Sequence, residues 1–190
     1  MNNKLLDWFT AHASLKNIVL AMMAVIPFNA LIFPLLMRQI TAHSGSTGML
    51  DVTLGYLPQS ALQAIEAYGA SGRTWYLITQ WTADLLFPIA YTFLFSLLLA
   101  SLYRRAFLPD SPFQNLRWAP IGMMGFDNLE NITISLLLIS FPNSPVILAV
   151  IASIASMLKW VLAATAGIAL LAGLAALIRN LIPQSEHKGE

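Results

Sequence analysis

The chain has 190 residues, of which 57% are hydrophobic and 10% charged, and its net charge is +1. A soluble domain carries about 25% charged residues; with a mean hydropathy of +0.68 this chain cannot cover a water-facing surface, and most of it must face lipid. The near-neutral charge gives no ground for a nucleic-acid partner, and the absence of cysteine removes disulfides, thiolate ligands and thiol redox chemistry.

A membrane-spanning helix needs about 20 mostly apolar residues. Four runs meet that length, and none alternates as the strands of a membrane barrel would. The predicted fold is therefore all-α: a polytopic membrane protein, a four-helix transmembrane bundle with a short helical outer loop, in one domain covering residues 1–190.

Residues 1–17 form the N-terminal segment. Leu5, Leu6, Trp8 and Phe9 suit a short amphipathic helix lying on the inner membrane surface, and a frayed terminus fits them equally. The first span is 18–37. Lys4 and Lys16 resemble the basic region of a signal peptide. Arg38, however, stands where a small-residue cleavage site would be, so the helix is expected to be retained.

The outer loop, 38–75, begins with the flexible run Ser44 to Gly48. A short helix follows, with Pro58 in its first turn and Gly69 as its C-terminal cap. Ala61, Leu62 and Ile65 share a face that should lie against the outer ends of the bundle. The second span, 76–102, places Arg73, Gln80, Asp84 and Tyr91 at helical spacing on one face. Pro88 lacks the amide that would bond the Asp84 carbonyl, so a kink is expected beside Asp84.

A cytoplasmic loop, 103–118, leads to the third span, 119–141. There Asp127, Glu130 and Asn131 fall at i, i+3 and i+4, on one side of the helix. After an outer turn, 142–145, the fourth span runs 146–178 and the tail 179–190. Ala152, Ser156, Lys159, Ala163 and Gly167 share a face, and its small residues should turn it, with Lys159, into the bundle.

Basic residues set the orientation. With the N-terminus inside, Lys4, Lys16, Arg104, Arg105, Arg117, Arg179 and Lys188 are cytoplasmic, against Arg38 and Arg73 outside. A multi-pass protein of the cell inner membrane with both termini in the cytoplasm is expected.

Charged groups within a bilayer are costly and usually functional or paired. The spans contain Asp84, Asp127, Glu130 and Lys159, with Asn29 and Asn131 adding polar weight. At about 1.5 Å per residue, Asp84 lies about 12 Å below the outer surface, Asn29 about 13 Å, and Glu130 and Asn131 about 15–17 Å. Asp127 lies about a turn deeper. Lys159 comes to about 20 Å when counted from Pro145 and close to the outer surface when counted from Arg179. A buried ion pair between Lys159 and Asp127 or Glu130 would explain part of this set structurally. The surplus of acids suits proton handling or cation binding. The histidines lie outside the apolar runs and no phosphate-cradling loop is present, so neither a metal nor a cofactor is expected.

The sequence Tyr56-x-Pro58, then Gly69-x-x-Gly72-Arg73-x-x-Tyr76, Asp84-x-x-Phe87-Pro88-x-x-Tyr91 and Asp127-x-x-Glu130-Asn131 resembles a group of small four-helix bacterial membrane proteins of unassigned function. The resemblance covers about half the chain and implies no activity. It singles out Arg73, Asp84, Tyr91, Asp127 and Glu130.

The expected site has Asp84 and Glu130 as a proton-handling pair, with Asp127 beside them. Tyr91 and Asn131 orient the ligand and Arg73 is an outer electrostatic gate. Gln80, Asn29 and Lys159 complete the binding set. The leading function is binding of a lipid or small amphiphile, with acid/base chemistry on it as the enzymatic extension. The alternative is a non-catalytic accessory subunit packed on a membrane-protein partner or a second copy. A proton- or ion-coupled transporter component is a more distant third.

Overall fold

The computed structural model describes residues 4–42 and 48–181; all the secondary structure there is helical. The elements are α1 (Lys4–His12), α2 (Leu15–Pro27), a π-type turn (Phe28–Ile32), α3 (Phe33–Thr41), a 3-10 turn (Leu50–Val52), α4 (Pro58–Ala67), α5 (Gly69–Trp81), α6 (Ala83–Ala106), a 3-10 stretch (Pro112–Trp118), α7 (Ala119–Ser140) and α8 (Val146–Leu181). Most of the flexible run expected at Ser44–Gly48, and the expected tail beyond Leu181, lie outside the described residues.

Three helical stretches are long and apolar enough to cross a membrane: Leu15–Thr41, Gly69–Ala106 and Val146–Asn180. The protein is thus a helical membrane protein. The third expected span, α7, is not one of these three, because Asp127, Asn128, Glu130, Asn131 and Thr133 dilute its hydropathy.

The first stretch is not a plain α-helix. Pro34 has no amide, so its ladder widens and the Phe33 amide bonds the Phe28 carbonyl. The resulting π-type turn carries Asn29. The second stretch begins earlier than expected, at Gly69. Gly69 ends α4 at φ +63 and at once opens α5, so the chain reverses with little irregular backbone. Pro58 stands at the start of α4, and Ala61 and Ile65 are fully buried, as the sequence predicted.

The interruption expected beside Asp84 falls at Thr82, whose φ −123 and ψ −83 separate α5 from α6. Gly72 lets α5 cross close to α3; a Cβ there would lie 2.8 Å from the Ile40 carbonyl oxygen. The core on this side joins Ile40, Ile65, Tyr68, Tyr76, Ile134, Leu137 and Ala152.

Along α8, Ala149, Ala152, Ala155, Ser156, Ala166 and Ala169 are buried and bring α7 and α6 close. Tyr103 of α6 donates to the Ala169 carbonyl at 3.1 Å. At the opposite end, α1 is held by Arg117, which donates to the Leu6 carbonyl at 2.7 Å and to the Thr10 hydroxyl at 2.5 Å. Leu6 and Phe9 of α1 are buried, while Leu5 and Trp8 are exposed.

Candidate functional site

The site forms where the outer loop folds back onto the helices. Lys159 on α8 is its hub. Its ammonium lies 2.6 Å from Glu130 Oε2 and 3.3 Å from Asp127 Oδ1, both on α7. It also donates to the Asp51 backbone carbonyl at 2.7 Å. The Asp51 carbonyl and Asp127 Oδ1 accept hydrogen bonds from it, and Glu130 is its close ion-pair partner. The buried ion pair expected for Lys159 is present, and it engages both acids of α7. Its bond to Asp51 also ties α8 to the loop between α3 and α4.

Tyr91 on α6 donates to Asp127 Oδ2 at 2.8 Å, so both Asp127 oxygens are engaged. Tyr56 donates to Glu130 Oε1 at 3.4 Å. Burial, then the Glu130 and Asp51 carboxylates, hold the Tyr56 hydroxyl well above its ordinary range, so it remains a donor.

Asp51, absent from the sequence-derived set, enters from the loop. Its carboxyl accepts from Tyr76 at 2.9 Å, and the same tyrosine oxygen accepts from the amides of Leu50 at 2.9 Å and Asp51 at 3.3 Å. Tyr76 thereby clamps the 3-10 turn. Further along, the Thr53 carbonyl accepts from Ser156 at 2.8 Å and from the Trp160 indole at 3.1 Å. The Tyr56 amide donates to Ser153 at 3.0 Å. The strap from Met49 to Tyr56 is thus fastened to α5 and α8. Burial pushes the Asp51 carboxyl above its ordinary range; the Lys159 ammonium and the Tyr76 hydroxyl oppose that shift, and Asp127 adds to it.

Asp84 and the loop carboxyl of Asp51 line one cavity. It is 5% exposed, and its Oδ2 has no partner among the described residues. Glu130, the partner expected for Asp84 from depth, is not among the residues lining that cavity. Glu130 is fully buried and committed to Lys159. Depth counting ranks residues along the membrane normal and says nothing of their azimuth around the bundle.

The cavity has a volume of about 420 Å³. Its polar lining residues are Asp51, Asp84, Asp127, Lys159 and Asn29; its apolar ones are Phe33, Pro34, Met37, Met49, Val52, Phe87, Met123 and Trp160. Asn29 is exposed and its amide donates to the Val25 carbonyl at 3.3 Å, so it borders the cavity without joining the acid network.

Three expected site residues are engaged outside the acid network. Arg73 donates to the Ile65 carbonyl at 3.2 Å, and its guanidinium lies 3.9 Å from the centre of the Phe141 ring. Gln80 is buried in a separate small pocket with Trp81, Asn128 and Asn131. Both residues precede the break at Thr82, which ends the helical phase they were expected to share with Asp84 and Tyr91. Asn131 orients backbone and not ligand, since its amide donates to the Asp84 carbonyl at 3.0 Å. Asp51 could have been suspected as the one acid in the outer loop besides Glu66, but its place depends on the chain's return over α8. Among the described residues no group of three His, Cys, Asp or Glu could hold a metal ion. Compared with models of known families, with curated proteins and with solved structures, the chain matches none.

Proposed function

We propose that this protein is a four-helix inner-membrane bundle that binds a lipid or small amphiphile in the cavity beside Asp51 and Asp84. The observation that carries the reading is the cavity's lining, in which three carboxylates and a lysine stand among predominantly apolar side chains. Small-molecule sites have that character: mostly apolar, with a few placed polar groups.

The fourth span is α7. Its 22 residues reach about 33 Å, against a hydrocarbon core of about 30 Å. Its polar residues Asp127, Glu130, Asn131, Thr133 and Ser135 are buried, while Leu129, Ile132, Leu136 and Ile139 form an exposed apolar stripe. Low hydropathy in α7 thus reflects its inner face, and its outer face suits lipid. The excess of Lys and Arg in the N-terminal segment, the 103–118 loop and the tail supports cytoplasmic termini.

Acid/base chemistry on the bound molecule, if the protein is an enzyme, falls to Asp84 with Asp51. Glu130 and Asp127 serve as the structural counter-charge to Lys159. That self-contained triad is also what an accessory subunit needs to fix helix register, and it favours that role as the second reading.

The test is native mass spectrometry of the protein taken from its own membranes, paired with complementation of a deletion strain by Asp84→Asn. The binding reading expects a co-purifying amphiphile that Asp84→Asn depletes and a phenotype the variant fails to rescue. A fixed protein partner, no amphiphile and full rescue would establish the accessory subunit instead.

A further inference from the structure

The cavity's polar lining constrains the headgroup it can hold, and this inference rests on the amphiphile-binding reading above. Lys159 is the only cation among the described residues that line the cavity; it donates to Asp51 O and Asp127 Oδ1, and its charge is matched by the Asp127 and Glu130 carboxylates. A phosphate or carboxylate would compete with acids already paired to it. Both Asp127 oxygens are also engaged. What remains is acceptor capacity: Asp84 Oδ2, buried and without a partner among the described residues, in a lining shared with Asp51.

The charge balance points the same way. Asp51, Asp84, Asp127 and Glu130 gather around one lysine, and the pair Asp51 and Asp84 has no cation of its own among the described residues. Two buried carboxyls lining one cavity resist double ionisation unless a donor or a cation joins them. A metal is disfavoured, because no three ligating side chains among the described residues are placed for one. Trp160, also in the lining, offers an aromatic face, which attracts organic cations. Phe33, Met37 and Met123 of the same lining suit an alkyl chain.

We infer that the cavity binds a cationic amphiphile, its ammonium head donating to Asp84 and Asp51 and its alkyl chain lying against Phe33, Met37 and Met123. A carboxylate-headed amphiphile of the same chain length would face the carboxyls of Asp51, Asp84 and Asp127 and should bind least.

The experiment uses the full chain in nanodiscs of zwitterionic lipid and three probes of equal chain length: dodecylamine, dodecanol and dodecanoate. Binding is read by native mass spectrometry for the parent, Asp84→Asn, Asp51→Asn and Met123→Trp. Dodecylamine should bind best and dodecanoate least. Asp84→Asn should weaken dodecylamine by about tenfold or more, the scale of one charge-assisted hydrogen bond, and leave dodecanol within about twofold. Met123→Trp, which fills the apolar end, should weaken every probe that binds. Should Asp84→Asn melt early, Asp51→Asn takes its place with the same expected loss. If dodecanol matches dodecylamine and neither responds to the carboxylate variants, the ammonium inference is overturned while amphiphile binding stands. If no probe responds to Met123→Trp, the amphiphile site itself is refuted, and the headgroup inference with it.

Discussion

The side-chain amide of Asn131 donates to the backbone carbonyl of Asp84 at 3.0 Å, across the α6–α7 interface. That carbonyl is the one Pro88 leaves without its helical amide partner. Asn131 therefore replaces a backbone bond, and it does so one residue from Glu130, which meets Lys159 on the neighbouring helix. An expected break in α6 at Pro88 becomes a specific joint between α6 and α7.

Removing that joint leaves a buried carbonyl unsatisfied. Asn131→Ala should cost about 1–3 kcal/mol, the usual penalty for an orphaned buried group. In a Pro88→Ala background the helix regains an amide for Asp84, so the same substitution should cost less. A double-mutant cycle, read from unfolding in mixed micelles, checks this. Equal costs in both backgrounds would mean that Asn131 and Pro88 are not coupled.

Lys159→Ala should be the more damaging change. It strands Glu130, which is fully buried, together with Asp127. Breaking one side of a buried pair costs about 3–5 kcal/mol. Lys159→Met combined with Glu130→Gln removes charge from both partners and should recover part of the loss. Thermal melts of the three proteins in detergent decide it: a Lys159→Ala variant as stable as the parent is incompatible with the triad.

Tyr76→Phe keeps the ring packed on Tyr68 but deletes the hydroxyl that clamps Leu50 and Asp51. The fold should survive, with a loss of about 1–3 kcal/mol. The local effect should be larger. Amide hydrogen exchange should rise across the strap from Met49 to Tyr56 and stay unchanged in α8 below Ala163. Protection of the strap equal to the parent's would show that Ser153, Ser156 and Trp160 hold it without Tyr76.

Asp51 gives the strap a pH dependence of defined sign. Its folded value lies above the ordinary 3.8, because burial outweighs the Lys159 ammonium and the Tyr76 hydroxyl. The fold thus favours the protonated form. Its stabilising contribution is complete below pH 3.8 and declines as the pH rises from there through the raised value. Melting temperatures of the parent and Asp51→Asn, taken upward from about pH 4, should show a steeper decline for the parent. Parallel curves would mean that Asp51 titrates normally.

Topology is the fifth test. Reporter fusions at His43 and Asn143 should read outside, and fusions after Pro109 and at the C-terminus inside. The pair that matters is Pro109 and Asn143, which flank α7. If they report the same side, α7 does not cross the membrane.

How much of this was legible in the sequence follows from which physical scale each feature obeys. Membrane residence and the all-helical class come from hydropathy summed over long windows, which is a property of composition. Local chemistry set the short loop helix as well: Pro58 fits its first turn and Gly69 the left-handed residue after it. The inward turn of Asp84, Asp127, Glu130 and Lys159 followed from the cost of charge in lipid. Their partners did not. Which acids meet depends on azimuth around the bundle, and that was set by the break at Thr82, which parts Arg73 and Gln80 from Asp84. Asp51 could be placed only by the tertiary structure, because its position is fixed by Tyr76 and Lys159, residues 25 and 108 positions away in the chain. The sequence determined that polar groups must be hidden from lipid; the crossing of the helices and the return of the strap decided which of them face one another.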